Sequence, residues 1–157
     1  MPPISTPGVA DAHADAVLKN FARCIAGICF VLSVLVLIGW IFNIAFLLRV
    51  RPDWVTLRPY GAVTFLFQSS ALWFLSKEAS AVSGRGPFRL GLVCASLAAI
   101  LGFVATLEYM FHFSLGIDQL LFPMQVKGAG TSGRIAPNAA VSHLLMGLSL
   151  LTIDLRL

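Results

Sequence analysis

Residues 24–48, CIAGICFVLSVLVLIGWIFNIAFLL, form a run of 25 residues without a charged side chain. An α-helix needs about 20 apolar residues to cross a hydrocarbon core roughly 30 Å thick, and about 17 to 25 is the usual range. A cleavable signal sequence has an apolar region of only about 7 to 15 residues and a small-residue cleavage site, which is not found where this run ends at Leu47, Leu48 and Arg49. The run therefore predicts a transmembrane helix that stays in place as a membrane anchor.

Three shorter apolar segments follow the first one, at about 60–76, 90–111 and 138–154. Of the 157 residues, 58% are hydrophobic and 11% are charged, and the mean hydropathy is +0.88. A soluble domain of this size does not tolerate such a composition on its surface. We therefore predict an all-α integral membrane protein, with four spans at about 24–48, 60–76, 90–111 and 138–154 in a membrane domain of residues 21–157. Residues 1–20, which show no sustained apolar period, are predicted to form a flexible N-terminal tail.

The second and fourth apolar segments resemble each other at an offset of 78 residues. The identical pairs are Pro59 with Pro137, Ala62 with Ala140, Val63 with Val141, Leu66 with Leu144, and Leu72 with Leu150. Proline is preorganised for the first turn of a helix and loses no needed hydrogen bond there, so both helices are predicted to start in the same way at the same membrane face. The fold prediction is a four-helix bundle made of two duplicated transmembrane hairpins.

Small residues recur along the third segment at spacings of three and four residues. They are Gly91, Ala95, Ala98 and Gly102. Small side chains allow helix backbones to approach closely in a membrane. The spacing predicts a stripe that packs against a neighbouring helix, in this chain or in another one.

The basic residues are divided almost evenly between the two sides of the predicted spans. One side carries Lys19, Arg23, Lys77, Arg85, Arg89 and Arg156, and the other carries Arg49, Arg51, Arg58, Lys127 and Arg134. The positive-inside rule then favours a cytoplasmic N-terminus, and an even number of spans returns the C-terminus to the cytoplasm. We predict a multi-pass protein of the bacterial inner membrane with both termini cytoplasmic. The net charge of +4 is spread along the chain without a basic run, so no nucleic-acid partner is expected.

Few ionisable residues are available inside the spans, where such groups are costly and are functional candidates by default. Glu108 lies near the end of the third span, and His112 shares its helix face at i,i+4 spacing. His143 lies five residues into the fourth span, roughly 7 to 8 Å along the helix axis. Because the third span ends where the loop to the fourth begins, these three residues are predicted to lie toward one membrane face.

Three interpretations of Glu108, His112 and His143 remain open at this point. In the first, Glu108 and His112 reach the membrane interface and His143 bonds a group inside the bundle. The second is a polar pocket for a small ligand or a sensory signal, and the third is a metal or haem site. The residue spacing is not that of a helical HxxxH pair, so we predict no metal and no cofactor. Phosphate-loop, nucleophile-elbow and paired-carboxylate patterns are all missing from the sequence, which predicts a protein that is not an enzyme.

Three segments of the chain resemble a known family. They are DWVTLRPYGAVTFL (53–66), LEYMFHFSLGIDQLLF (107–122) and GRIAPNAAVSHLLMGLSLL (133–151). They are similar to the N-terminal multi-span membrane region that precedes PAS, histidine kinase and diguanylate cyclase modules in many proteobacterial signalling proteins. The family's helix-start and loop motifs match this chain at Pro59, Pro137, Asn138, Gly116, Asp118 and Gln119, while Tyr60 replaces the expected Asn in the first copy.

The resemblance implies a membrane-embedded sensory input or anchoring module of a bacterial signalling protein, with the lipid bilayer and a signalling partner or a second copy of the chain as partners. No output domain follows the last span in this sequence. The alternative is a small stand-alone polytopic membrane protein of transport or structural type.

Overall fold

The computed structural model describes residues 9–48, 57–76, 85–113, 115–116 and 135–152, with the side chains of 9–12 and 85 excluded. These residues form helices and their connections, without a strand. The helices are α1 (Val9–Ile41), α2 (Ala45–Leu48), α3 (Pro59–Leu75), α4 (Arg85–Met110) and α5 (Pro137–Thr152). The all-α prediction is confirmed for this part of the chain.

The long helix α1 begins much earlier than the sequence pattern indicates. Residues 9–20, expected to belong to a flexible tail, are helical from Val9 onward. This stretch contains four alanines and neither Gly nor Pro, so its intrinsic helix propensity is high even though it lacks apolar periodicity. The side chains of residues 13–20 are all exposed. The predicted tail boundary at residue 20 is therefore corrected to Val9, and residues 1–8 lie outside the described chain.

The first predicted span, 24–48, is not one continuous helix. Asn43 adopts a left-handed backbone with φ 53°, and the amide of Ile44 donates to the carbonyl of Gly39 at 2.9 Å. This bond, spanning six residues, and the left-handed residue before its donor define a Schellman C-cap, in which Asn is the usual substitute for Gly. The helix therefore ends at Ile41, and the chain turns before the short helix α2.

Successive long helices run antiparallel and pack side by side in chain order, α1 on α3, α3 on α4 and α4 on α5, and α3 also touches α5. At one end of this assembly the Trp40 indole N–H donates to the Leu57 carbonyl at 2.8 Å. At the other end the Arg23 guanidinium lies 5.4 Å from the ring centre of Trp73. Near the first of these ends, the Tyr60 hydroxyl donates to the Leu101 carbonyl of α4 at 2.7 Å. Aromatic side chains thus connect neighbouring helices at both ends.

Glycines set the closest helix contacts. A Cβ atom on Gly102 would lie 2.8 Å from the Cα of Leu144, and a Cβ on Gly147 would lie 2.7 Å from the Cα of Ala99. On α4, Gly91 instead faces the side chain of Leu75, where a Cβ would come within 2.9 Å of Cγ. The predicted small-residue stripe on the third segment is therefore confirmed, and its neighbours are α3 and α5 of the same chain.

Large apolar side chains lie on the outside of the described helices and small ones on the inside. Eight of the thirteen buried apolar residues are alanines, whereas the exposed large apolar side chains include Phe46, Ile100 and Leu145 at 81%, 57% and 61% exposure. The largest fully buried side chains are Gln68, Thr64 and Pro59. This distribution is the reverse of that in a water-soluble domain, where the large apolar residues are buried.

Two helices in the described residues are long and apolar enough to cross a membrane. They are His13–Ile41, with a mean hydropathy of 2.7, and Gly86–Met110, with a mean hydropathy of 2.3. Only 22% and 33% of their most apolar stretches are buried, whereas the core helix of a soluble protein is mostly buried.

Candidate functional site

His143 on α5 is the most deeply buried of the three predicted polar residues, with 4% of its surface exposed. It lies on the side of α5 that faces α3, where the ring of Phe65 packs edge-on against the imidazole at a centroid distance of 4.7 Å and an angle of 79°. The backbone of His143 and Leu144 lies against Gly102 of α4. Contact with two helices therefore fixes the position of His143.

Gln68 on α3 pairs with His143 through two hydrogen bonds. The amide nitrogen Nε2 of Gln68 donates to the backbone carbonyl of His143 at 2.9 Å, and the amide oxygen Oε1 lies 3.1 Å from Nδ1 of the imidazole. Gln68 is 2% exposed. The two residues are 75 positions apart in the sequence. Their hydrogen bonds fix how α3 and α5 are placed relative to each other.

The orientation of the Gln68 amide assigns the tautomer of His143. Because the nitrogen end of the amide donates to a carbonyl, the oxygen end must face Nδ1, and this oxygen can only accept. A neutral imidazole then carries its proton on Nδ1 and a lone pair on Nε2. The hydrogen bonds that His143 makes to the rest of the described chain leave Nε2 without a partner.

A groove of about 310 Å³ opens between α3 and α5 beside this pair. Its lining residues are Phe65, Gln68, Asn138, Ala139, Ser142, His143 and Met146. Phe65 and Met146 are each 45% exposed, so the groove opens to the outside of the assembly. None of the lining side chains carries a formal charge when His143 is neutral.

Glu108 lies in the last turn of α4 and is 7% exposed. Its Oε1 accepts a hydrogen bond from the amide of Leu115 at 2.7 Å. The next residue, Tyr109, donates its hydroxyl to the carbonyl of Ile135, just before α5 begins. Both side chains thus hold the connection between α4 and α5, and this gives Glu108 a structural role.

His112 is exposed and lies just beyond the end of α4. Its backbone is left-handed, with φ 54°, and its Nδ1 lies 2.9 Å from the carbonyl of Tyr109. A non-glycine residue in this region terminates the helix. His112 therefore has a local role at the helix end.

Hydrogen bonds do not join the three predicted residues within the described chain, because Glu108 bonds to Leu115 and His143 bonds to Gln68. Glu108 and His143 therefore have separate hydrogen-bond partners. The cause is helix register, since His143 lies level with Gly102, six residues before Glu108 and about 9 Å along the axis of α4. A ligand-binding role for Glu108 or His112 stays a prediction.

Sequence reasoning missed Gln68, the partner that His143 has in the structure. An amide side chain does not titrate, so a prediction based on ionisable groups omits it. The available signal was simple, because Gln68 is the only amide side chain between Pro59 and Leu75. A polar amide inside an apolar helix usually bonds to a neighbouring helix.

The family-motif positions fall at helix starts and in the loop. Pro59 and Pro137 are the first residues of α3 and α5, which confirms the predicted helix starts, and Asn138 lines the groove. Gly116 has φ +70°, a conformation that favours glycine. Asp118 and Gln119 lie outside the described residues.

A metal site would need several His, Cys, Asp or Glu side chains close together. In the part of the chain that the structure covers, no three or more of them are grouped closely enough to hold an ion. The three cysteines there, Cys24, Cys29 and Cys94, are free thiols. The described residues therefore present a neutral polar groove as the candidate site.

No protein-family model matches this chain, and no curated protein or solved structure matches it either.

Proposed function

We propose that this chain is a four-span helical membrane protein, built from two duplicated hairpins, that acts as the membrane-embedded sensory input or anchoring module of a bacterial signalling protein. The observation that carries the sensory role is the buried pair of Gln68 and His143 at the floor of an open groove. Polar side chains inside membrane helices are costly and usually serve a function. A groove that opens outward while its polar floor is buried is suited to receiving a small molecule from the bilayer.

The membrane location is supported by the distribution of apolar residues over all four long helices. Large exposed side chains include Leu32 on α1, Phe65 on α3, Ile100 on α4 and Leu145 on α5. In water these faces would form apolar patches far larger than soluble monomers expose. In a bilayer they face hydrocarbon, and the small residues inside allow close helix packing.

The lengths of the shorter helices are compatible with spanning. At 1.5 Å per residue, the 17 residues of α3 and the 16 residues of α5 extend about 26 and 24 Å. These lengths approach the roughly 30 Å of a hydrocarbon core, and a modest mismatch can be accommodated by local thinning of the bilayer. Residues 153–157, which lie outside the described chain, include further apolar side chains.

The duplication is supported by matching hydrogen bonds at the starts of α3 and α5. The carbonyls of Arg58 and Ala136, which precede the two prolines, accept from Ala62 and Ala140 at 3.2 and 3.0 Å. Two residues further on, Thr64 donates to the Tyr60 carbonyl at 3.0 Å, and Ser142 donates to the Asn138 carbonyl at 2.8 Å. All these pairs are related by the same offset of 78 residues. The groove then lies between the equivalent helices of the two hairpins.

The signalling role rests on the resemblance of the helix-start and loop motifs to the membrane regions of proteobacterial signalling proteins. Tyr109 and Glu108 of that loop element hold the connection into α5. The groove is lined by α5, so a ligand in the groove would act directly on the described helix nearest the C-terminus. In this scheme the C-terminus must lie on the cytoplasmic side, where signalling output domains act.

The side of the membrane that holds the C-terminus tests this proposal. We expect a phosphatase that is active only in the periplasm to stay inactive when fused after Leu157, and a fluorescent protein that folds only in the cytoplasm to light up at the same site. The control is the same pair of reporters placed after Asp53, between α2 and α3 in the sequence, where the opposite pattern is expected. A periplasmic signal after Leu157 would overturn the input-module assignment.

A further inference from the structure

We propose that the groove between α3 and α5 binds a neutral, hydroxyl-bearing aromatic molecule of the phenol class, whose hydroxyl donates a hydrogen bond to Nε2 of His143. This inference deepens the proposed sensory function and rests on it. It names the chemistry of the ligand that the groove accepts.

The acceptor is Nε2 of His143. Gln68 uses its oxygen to accept from Nδ1, so the imidazole presents a lone pair on Nε2. His143 is 4% exposed, and its hydrogen bonds in the described structure involve only Nδ1 and the backbone carbonyl. A buried acceptor without a donor is unfavourable. A ligand with one hydroxyl group would donate a hydrogen bond to this acceptor.

Gly61 on α3 lies beside Nε2. A Cβ atom built on Gly61 would lie 3.4 Å from Cγ2 of Ile135 and 4.0 Å from Nε2, so a longer side chain there would crowd the ring nitrogen. The neighbouring groove of about 310 Å³ is at the small end of the range for ligand sites. The available room fits a molecule of one ring and excludes a large cofactor.

The lining favours a neutral, aromatic ligand. Among the described residues of the groove there is no carboxylate to hold a cation and no Lys or Arg to hold an anion. Phe65 and Met146 line its open side, and both types of side chain make favourable contacts with an aromatic ring. Ser142 and Asn138 are exposed, which leaves Nε2 of His143 as the buried acceptor that directs the hydroxyl.

The test uses the full chain in lipid nanodiscs with 4-fluorophenol as the probe and 4-fluoroanisole as its matched control. The two molecules share the fluorinated ring, but the anisole has no hydroxyl hydrogen to donate. Fluorine NMR of the probe measures the affinity, and nitrogen NMR of the labelled imidazoles follows Nε2 of His143. We expect 4-fluorophenol to bind saturably and to shift the His143 Nε2 signal, whereas 4-fluoroanisole should bind about tenfold more weakly, as expected for the loss of one hydrogen bond.

Variants distinguish binding of the probe in the groove from general partitioning of the probe into lipid. His143→Phe is expected to lower the affinity for 4-fluorophenol to that for 4-fluoroanisole, and Gly61→Leu is expected to abolish the saturable phase. Gly61→Ala, whose Cβ makes only ordinary van der Waals contacts, preserves the fold and should weaken binding to an intermediate degree. His13→Gln, at an exposed histidine of α1, should leave binding unchanged.

Equal affinities for the two probes, or saturable binding that survives both His143→Phe and Gly61→Leu, would overturn the ligand proposal. This failure is distinguishable from failure of the proposed function. A cytoplasmic C-terminus with no specific 4-fluorophenol binding overturns the ligand class alone. A periplasmic C-terminus overturns the input-module assignment, whatever the probe does.

Discussion

Gly102→Leu is expected to destabilise the protein by about 3 kcal/mol, at the upper end of the usual cost of overpacking a helix interface. A Cβ atom at this position would already lie 2.8 Å from the Cα of Leu144 and 2.9 Å from the carbonyl carbon of His143. The obstructing atoms belong to the backbone of α5, so they cannot move aside by a rotamer change. The two helices would have to separate along their whole contact.

Gly86→Leu is the matched control, because it makes the same replacement on the same helix. A Cβ on Gly86 meets nothing within 4 Å. Leucine also has a higher helix propensity than glycine by up to about 1 kcal/mol, so this variant should be neutral or slightly more stable. Unfolding by a denaturing detergent in mixed micelles measures both free energies. Equal effects of the two replacements would show that α4 and α5 are not in contact at Gly102.

Gln68→Leu is expected to cost about 1–3 kcal/mol, because it leaves the Nδ1 proton of His143 buried without an acceptor. The replacement keeps most of the side-chain volume, so little of the loss should come from a cavity. Ser70→Ala is the control, since the Ser70 hydroxyl bonds only to the Leu66 carbonyl of its own helix at 2.7 Å. Its removal should change the free energy of unfolding by much less.

The double variant Gln68→Leu/His143→Phe isolates the interaction between the two side chains. It removes both polar partners and leaves neither unsatisfied, so it should be more stable than the sum of the single changes predicts. A coupling energy of about 0.5–3 kcal/mol is the range for residues in contact. Strictly additive single changes would mean that Gln68 and His143 do not pair.

The helix starts were predictable from sequence because they depend on local rules. Proline fixes its own backbone angle and needs no hydrogen-bond donor, so Pro59 and Pro137 begin α3 and α5 wherever those helices pack. The small-residue stripe was predictable for a similar reason, because Gly91 and Gly102 lie on one helix and their spacing follows from helix geometry. Which helices they meet required the structure.

The polar site could be predicted only in part. Burial of His143 follows from the cost of a polar group in an apolar helix, but its partner depends on the register between α3 and α5, which no local rule supplies. Glu108 and His143 looked close because each lies near the same connection, and a shift of six residues between α4 and α5 separates them. The end of α1 at Ile41 was missed because the left-handed Asn43 that follows it has a weak sequence signal next to a continuous apolar run.

The central claim is that all four long helices lie in the bilayer with their large apolar side chains facing lipid. Spin labels on single cysteines at Leu35, Phe65, Ile100 and Leu145, one on each long helix, measure this directly in a background without Cys24, Cys29 and Cys94. Collisions with oxygen, which concentrates in lipid, should exceed collisions with a water-soluble nickel complex at all four sites, and the order should reverse at the exposed His13. Greater access of the nickel complex at Phe65 or Leu145 would contradict the account, because α3 or α5 would then lie outside the membrane.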